Sequence, residues 1–267
     1  QARHRRTLDG TFCVERSAPL HGLVRNRIAL TTHLRQLGLA LPFSMGVEPS
    51  VTDSINRAVR TARRIGFPVV LKSAQKGSRP ARIGLRDEQE VRTASADLLQ
   101  AGGGVLVEPM AAGEMLDTLF IGSDLIAAFR RRADGRRDPV PADELPANAI
   151  ECIRRTLARV DLMCVVVTLA VDRSSAEEAA VVIDFDIAPR LDHLSGDDHS
   201  ILERSAGRML QWLFPEDRSG RIPIAAVTGT NGKTTTSLML DRIVRESGHC
   251  AGLACSVGSF VDGRSVS

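Results

Sequence analysis

The run Val227-Thr228-Gly229-Thr230-Asn231-Gly232-Lys233-Thr234-Thr235-Thr236 constrains this chain more than any other stretch. Before it, Ile224-Ala225-Ala226-Val227 reads as a buried strand; from Thr234 onward an amphipathic helix begins. Strand, glycine turn and helix in that order predict an α/β unit built around a phosphate cradle. The glycines let backbone N–H groups turn toward an anion, the helix N-terminus adds partial positive charge, and Lys233 reaches the outer phosphates. Thr234 is placed to hold Mg²⁺, and Gly229, Thr230, Asn231, Gly232 and Thr235 complete a nucleotide-binding loop. Val227 stands where the strict pattern has its first glycine. A plain turn would explain a strand–helix junction but not the order Gly-Lys-Thr.

At 267 residues the chain is long enough for two domains, and 43% hydrophobic with 25% charged residues is ordinary for a water-soluble protein. The net charge of +3 is spread along the chain, and eight Phe, one Trp and no Tyr offer no stacking platform, so nucleic-acid binding is not expected. No apolar run is long enough to span a membrane, and the basic start Gln1-Ala2-Arg3-His4-Arg5-Arg6 is neither a secretory signal nor an anchor. Five cysteines without a CxxC pair suggest neither a disulfide framework nor zinc, which fits a reducing cytoplasm. A start at Gln1 and a hydrophilic end, Asp262 to Ser267, are compatible with a fragment of a longer protein.

Of 35 basic residues only Lys72, Lys76 and Lys233 are lysines. In an arginine-favouring background a retained lysine marks a place that needs a compact ammonium. Lys72 ends the strand Phe67 to Lys72, and Lys76 follows in a polar loop running to Arg82, which makes this a second nucleotide-site candidate; the competing reading is a solvated pair.

Along the chain, helices are expected over Asn26 to Leu37, stopped by Gly38, and from a cap at Thr52 or Asp53 to Gly66. Asp87 and Glu90 form a capping box for a helix to about Gln100. Val105 to Glu108 is a strand, Thr118 to Ile121 and Leu125 to Phe129 a hairpin, Arg130 to Pro146 a loop, and Asn148 to Val160 a helix. Strands Cys164 to Asp172 and Ala180 to Asp186 follow, then a helix from about Ser200 to Leu213. Alternation puts Asp184 and Asp186 on one face, where two carboxylates can share Mg²⁺ with Asp172 as a third oxygen ligand; an exposed polar strand face explains them equally well. Asp192 to His199 reads as a loop capping the next helix rather than a metal site.

Taken together, Val69-Val70-Leu71-Lys72, Val107-Glu108, the hairpin ending Leu125 to Arg130, and Asp184-x-Asp186 before Ala188-Pro189 resemble an ATP-grasp ligase domain. The segment from Arg221 to Thr236 is similar to the entry of a Mur-ligase domain, and the pair in this order resembles the cyanophycin synthetase family. The resemblance implies an α/β chain: an α+β ATP-grasp-like domain over residues 1–213, a linker at 214–221, and at 222–267 the N-terminal part of a Mur-ligase-type ATP-binding domain. It implies an ATP- and Mg²⁺-dependent enzyme that activates a carboxylate as an acyl phosphate for attack by an amine. Aspartate, arginine and an aspartate–arginine polymer would be its substrates, and a homo-oligomer is compatible with it. By the same resemblance Lys72 and Lys233 are catalytic, Glu108 lies at the adenine hinge, and Asp172, Asp184, Asp186 and Thr234 hold metal.

Several positions depart from that family. Asn26-Arg27 replaces Asp-Lys, Asp184-Phe185-Asp186 replaces Glu-x-Asn, Arg190 replaces a glycine, Asp117 replaces an arginine, the phosphate-covering loop is reduced to Gly77-Ser78-Arg79-Pro80, and the segment between Arg132 and Asn148 is short. These departures keep a second reading open, a diverged non-catalytic nucleotide-binding or scaffolding module. A simple P-loop kinase or GTPase is a distant third, since no base-specificity motif follows Ser256.

Overall fold

The structure is a computed structural model, and it describes residues 8–9, 12–13, 26–39, 41–42, 44–47, 53–75, 80–100, 104–160, 162–174, 179–195, 198–214 and 223–266. Two compact units divide it, Gln1–Arg218 and Ser219–Ser267. In the first, a short pairing of β1 (Leu8–Asp9) with β2 (Phe12–Cys13) precedes two antiparallel sheets.

The smaller sheet has the order β3-β6-β4-β5, from β3 (Met45–Val47), β4 (Val69–Ser73), β5 (Arg82–Leu85) and β6 (Val105–Pro109). Helices α2 (Ser54–Ile65) and α3 (Glu88–Gln100) cover one face of it. Period-two alternation sorts the strands: Val69 and Leu71 of β4 and Val105 and Val107 of β6 pack with Ala58, Val59, Ala62, Val91 and Leu98 of the helices. Val70, Lys72, Leu106 and Glu108 therefore belong to the opposite face. The capping box forms: Asp87 accepts from the Glu90 amide at 2.9 Å, and the Glu90 carboxylate reaches back to the Arg86 amide at 2.6 Å. Asp53 precedes α2 without capping it, because its carboxylate is taken by the side chains of Asn56 and Arg60; Thr52 lies outside the described residues.

The larger sheet has the order β11-β10-β7-β8-β9, from β7 (Glu114–Ile121), β8 (Asp124–Arg131), β9 (Arg137–Pro139), β10 (Cys164–Asp172) and β11 (Ala179–Asp186). One face packs against α1 (Arg27–Gln36) and α4 (Ala147–Leu157) through Leu30, Leu34, Phe120, Val167, Ile153 and Leu157. The other carries Leu119, Phe129 and Val166 against α5 (Leu191–Ser195) and α6 (His199–Leu213) through Leu194, Ile201 and Trp212. The expected loop from Arg130 to Pro146 is corrected: Arg130 and Arg131 extend β8 and pair with β9, an edge strand whose polar composition hid it. Strand β5 begins at Arg82, where the expected polar loop ends.

In the second unit, α7 (Lys233–Glu246) is followed by the antiparallel sheet β12 (Gly252–Cys255), β13 (Gly258–Val261) and β14 (Arg264–Ser265). Ile224 to Val227, expected as a buried strand, has no strand conformation, and Ile224 is 85% exposed. A strand exists by ladder pairing, and this segment has no ladder partner among the described residues.

Gly113 enters β7 at φ +97°, and a Cβ there would sit 2.0 Å from the Val171 carbonyl oxygen; Gly135, at φ +85°, faces open space. Gly113→Ala is therefore expected to cost more than about 3 kcal/mol, from backbone clash and positive φ together, against about 1 kcal/mol for Gly135→Ala. Equilibrium urea unfolding of the two variants checks the ranking, and equal losses would show that the close approach at Val171 carries no weight.

Candidate functional site

Lys72 and Glu108 share the face of the smaller sheet opposite its helices because their strands are in register, Lys72 opposite Leu106 and Val70 opposite Glu108. The ammonium lies 2.6 Å from Glu108 Oε2 and donates to the Ile183 carbonyl oxygen at 2.5 Å. Ile183 belongs to the larger sheet, and its position is a β-bulge: Thr168 pairs with Asp184 and Leu169 with Val182, so Ile183 is skipped. A bulged residue drops out of the ladder, and here its carbonyl is met by lysine. Lys72 thus joins the two sheets. The Lys72 and Glu108 side chains are 12% and 7% exposed.

Around this pair is a crevice of about 30 Å³, lined by Leu30, Leu34, Leu41, Leu106, Val182 and Phe185 with Arg27, Lys72, Glu108 and Asp184 among its polar groups. That volume suits a water or two rather than a nucleotide, so a ligand must part the two sheets. Arg27 stands at its edge, positioned by the start of α1: Asn26 caps the helix by accepting from the Ile28 and Ala29 amides, and the Arg27 amide donates to the Ala74 carbonyl at 2.7 Å. Its guanidinium donates to Asp184 Oδ1 at 2.6 Å.

The three carboxylates expected to share Mg²⁺ are not brought together. Asp172 pairs with Ala179 at the far end of the β10–β11 hairpin, whereas Asp184 and Asp186 face Thr168 and Val166. At ~3.4 Å per residue, Thr168 to Asp172 alone is about 14 Å, which no bridging metal spans. Asp172 instead closes the turn, accepting from the Ser174 amide and hydroxyl, which hold its carboxyl below the usual carboxylate range. Asp184 is engaged by Arg27, and Asp186 accepts from the Ala188 amide at 3.3 Å. Among the described residues no group of three His, Cys, Asp or Glu side chains is arranged to hold a metal. The described residues of this unit do not fit a metal. Lys76 and the short loop Gly77-Ser78-Arg79 lie outside the described residues.

Sequence reasoning missed the next element. Asp184, Thr168 and Asp117 form one cross-strand row on the larger sheet. Asp117 is 1% exposed and accepts from Arg131 at 2.5 Å, Arg137 at 2.8 Å and the Thr168 hydroxyl at 2.8 Å. Burial alone would raise its pKa; the hydrogen bonds from Arg137 and Arg131, the charge of Arg131 and the Thr168 hydroxyl outweigh burial and hold it below the ordinary range. The signal was the departure itself, an acid where the resemblance has an arginine, with Arg130-Arg131-Arg132 and Arg136-Arg137 downstream.

In the second unit the loop closes over itself. Gly229 and Gly232 adopt φ +144° and +82°, and Gly232 directly precedes α7. These are conformations that glycine supplies, and they aim the loop and the helix N-terminus outward. Lys233 Nζ donates to the Gly229 and Thr230 carbonyls at 2.7 and 3.2 Å, so the ammonium lies across the loop. The Thr234 and Ser256 hydroxyls are hydrogen-bonded at 2.9 Å, bringing the β12–β13 turn to the loop. Asn231 and Thr235 are exposed beside it. The residue types suit a phosphate with its metal, which would take over the Lys233 ammonium and the Thr234 hydroxyl from their present partners.

With the geometry in hand, comparison with known proteins places the first unit among ATP-grasp folds. A RimK-domain ATP-grasp protein from Sphaerobacter thermophilus superposes with a TM-score of 0.58 at 18% identity, covering 73% of this chain and 69% of that one. No family model matches. In sequence the chain resembles a cyanophycin synthetase from Trichormus variabilis, 35% identical over 117 residues, or 44% of this chain and 12% of that protein. It is also 31% identical over 133 residues to a UDP-N-acetylmuramoyl-L-alanyl-D-glutamate--2,6-diaminopimelate ligase from Parabacteroides distasonis, covering 47% of this chain and 27% of that enzyme. The match thus spans a minor part of these relatives' length. No described helix is long and apolar enough to cross a membrane.

Two stability measurements test the site. Lys72→Met strands the buried Glu108 carboxylate and is expected to cost about 3–5 kcal/mol, most of it recovered in Lys72→Met/Glu108→Leu, by denaturant unfolding; equal losses in both variants would refute the pairing. Asp117→Asn is expected to cost about 3 kcal/mol at neutral pH. Because the folded pKa of Asp117 is lowered, its contribution is present above the ordinary carboxylate pKa of about 4 and is lost as pH falls through the folded value. The gap between wild type and Asp117→Asn should therefore narrow in acid unfolding below about pH 4.

Proposed function

We propose that this chain is part of a cytoplasmic ATP-dependent carboxylate–amine ligase of the cyanophycin-synthetase kind. The observation that carries the reading is one chain holding an ATP-grasp fold followed by a Gly-Lys-Thr phosphate loop, with sequence likeness to both a cyanophycin synthetase and a Mur-type ligase. In such a reaction a carboxylate oxygen attacks the γ-phosphorus and ADP leaves. The amine then attacks the acyl carbon, phosphate departs, and the amine gives up a proton.

The attack brings negative charges together, so fixed cations must offset what accumulates. At the loop this falls to Lys233 and the backbone amides ahead of α7. Bound Mg²⁺, held through Thr234, would add Lewis-acid neutralisation of the phosphates. Lys72 and Glu108 are assigned to nucleotide in the first unit, where the ammonium must exchange its present partners for phosphate. Aspartate and arginine are the substrates favoured by the likeness, and self-association of the chain is part of the same reading.

One observation favours a second reading, a nucleotide-binding or scaffolding module without turnover: Asp184 is engaged by Arg27 rather than left to a metal. ADP release by the full-length protein with aspartate, arginine and a short aspartate–arginine peptide separates the two. The ligase predicts substrate-dependent release that falls at least about 100-fold in Lys233→Ala. ATP binding with no substrate-dependent release would select the module.

A further inference from the structure

In the first unit, arginines stand at two positions in the carboxylate row. Asp184 is held by Arg27 at 2.6 Å, and Asp117 by Arg131 and Arg137 at 2.5 and 2.8 Å. Between them Thr168 donates to Asp117, so the residue opposite Asp184 on β10 supplies no acid, and Val166 opposite Asp186 supplies none either. Asp172 is removed by the register of the hairpin.

We propose that the first unit binds its nucleotide without a divalent metal, the Arg27 guanidinium supplying the charge a metal would bring. The inference rests on the reading of this crevice as a nucleotide site and reverses its expected metal dependence. The chemistry suits the exchange. A guanidinium is permanently charged and has several coplanar donors, so one N–H can stay on Asp184 while others fork to phosphate oxygens. Lys72 adds a second fixed cation once it exchanges Glu108 and Ile183 for phosphate. A divalent ion at Asp184 must compete with the guanidinium already seated on Oδ1, whose helix is tied to the Ala74 carbonyl. The same substitution makes the crevice a poor place for phosphoryl transfer, which needs mobile charge across the β- and γ-phosphates. It holds nucleotide rather than consuming it.

The test uses the whole chain carrying Lys233→Ala, so that the loop of the second unit is disabled, and reads ATP binding calorimetrically in excess Mg²⁺ and in EDTA. The dissociation constants are expected to agree within about threefold. Arg27→Ala should weaken binding in EDTA by about tenfold and recover when Mg²⁺ is added, because Asp184 is then open to the ion. Arg27→Lys, which keeps the cation and guards against a folding failure in the alanine variant, should stay indifferent to metal. Mn²⁺ with ATP should give no bound-ion electron paramagnetic resonance signal until Arg27 is removed. Mg²⁺ tightening the Lys233→Ala chain by about tenfold or more, or equal metal indifference in Arg27→Ala, overturns the inference. Absence of ATP binding under both conditions also overturns it, while substrate-dependent ADP release by the Lys233-containing protein would leave the ligase reading standing.

Discussion

The first unit depends on one ammonium group. Lys72 is nearly buried, and a buried charge is tolerated only when partners replace its water. It has two, the Glu108 carboxylate within its own sheet and the Ile183 carbonyl of the facing sheet. The second partner exists because β11 carries a bulge, which takes one carbonyl out of the ladder. On an edge strand only alternate carbonyls face the neighbouring strand, and at this bulge the Ile183 carbonyl is the one the lysine meets. The bulge and the lysine are therefore one device, and the crevice between the sheets has its width and its polarity from it.

Beyond that contact, the larger sheet deals with acidic residues by arginine. Guanidinium–carboxylate bonds are directional and strong, and a buried carboxylate left alone would be costly. Asp117 shows the balance: desolvation works against its charge, and two arginines and a threonine more than compensate. Asp184, at the opposite end of the row, meets the same chemistry from Arg27, which belongs to a helix rather than the sheet. On such a face the charges of Asp117 and Asp184 are met from within the protein. It gives up the freedom to exchange partners that a catalytic metal site requires.

Local signals were legible in the sequence and long-range ones were not. The Asp87–Glu90 box, the stop at Gly38 and the helix after Gly232 each depend on residues a few positions apart, and all formed. Strand β9 escaped because an edge strand of arginine, aspartate and proline lacks the apolar alternation that marks half-buried strands. Ile224 to Val227 was misread for the converse reason: apolar composition suits a strand, but only a neighbouring ladder makes one. Asp172 illustrates the limit for sites. Sequence alternation correctly put Asp184 and Asp186 on one face, yet only the hairpin register shows that Asp172 is at its other end. The Lys72–Glu108 pair depends on the β4–β6 register and the Arg27–Asp184 pair on a helix meeting β11, and no local pattern announces either.

The two candidate phosphate sites differ for this reason. The loop at Gly229 to Thr234 is built from backbone conformation, two glycines at positive φ and a helix start, so its geometry is carried by adjacent residues and survives divergence elsewhere. The crevice of the first unit is assembled from β4, β6, β11 and α1, and its four charged side chains, Lys72, Glu108, Asp184 and Arg27, come one from each. A single exchange there, such as arginine at position 27 within reach of Asp184, rewrites the charge pattern without disturbing the fold. An ATP-grasp fold is therefore weak evidence for metal-assisted chemistry in this unit. The identities of the cation and carboxylate partners decide what the crevice can do with a phosphate.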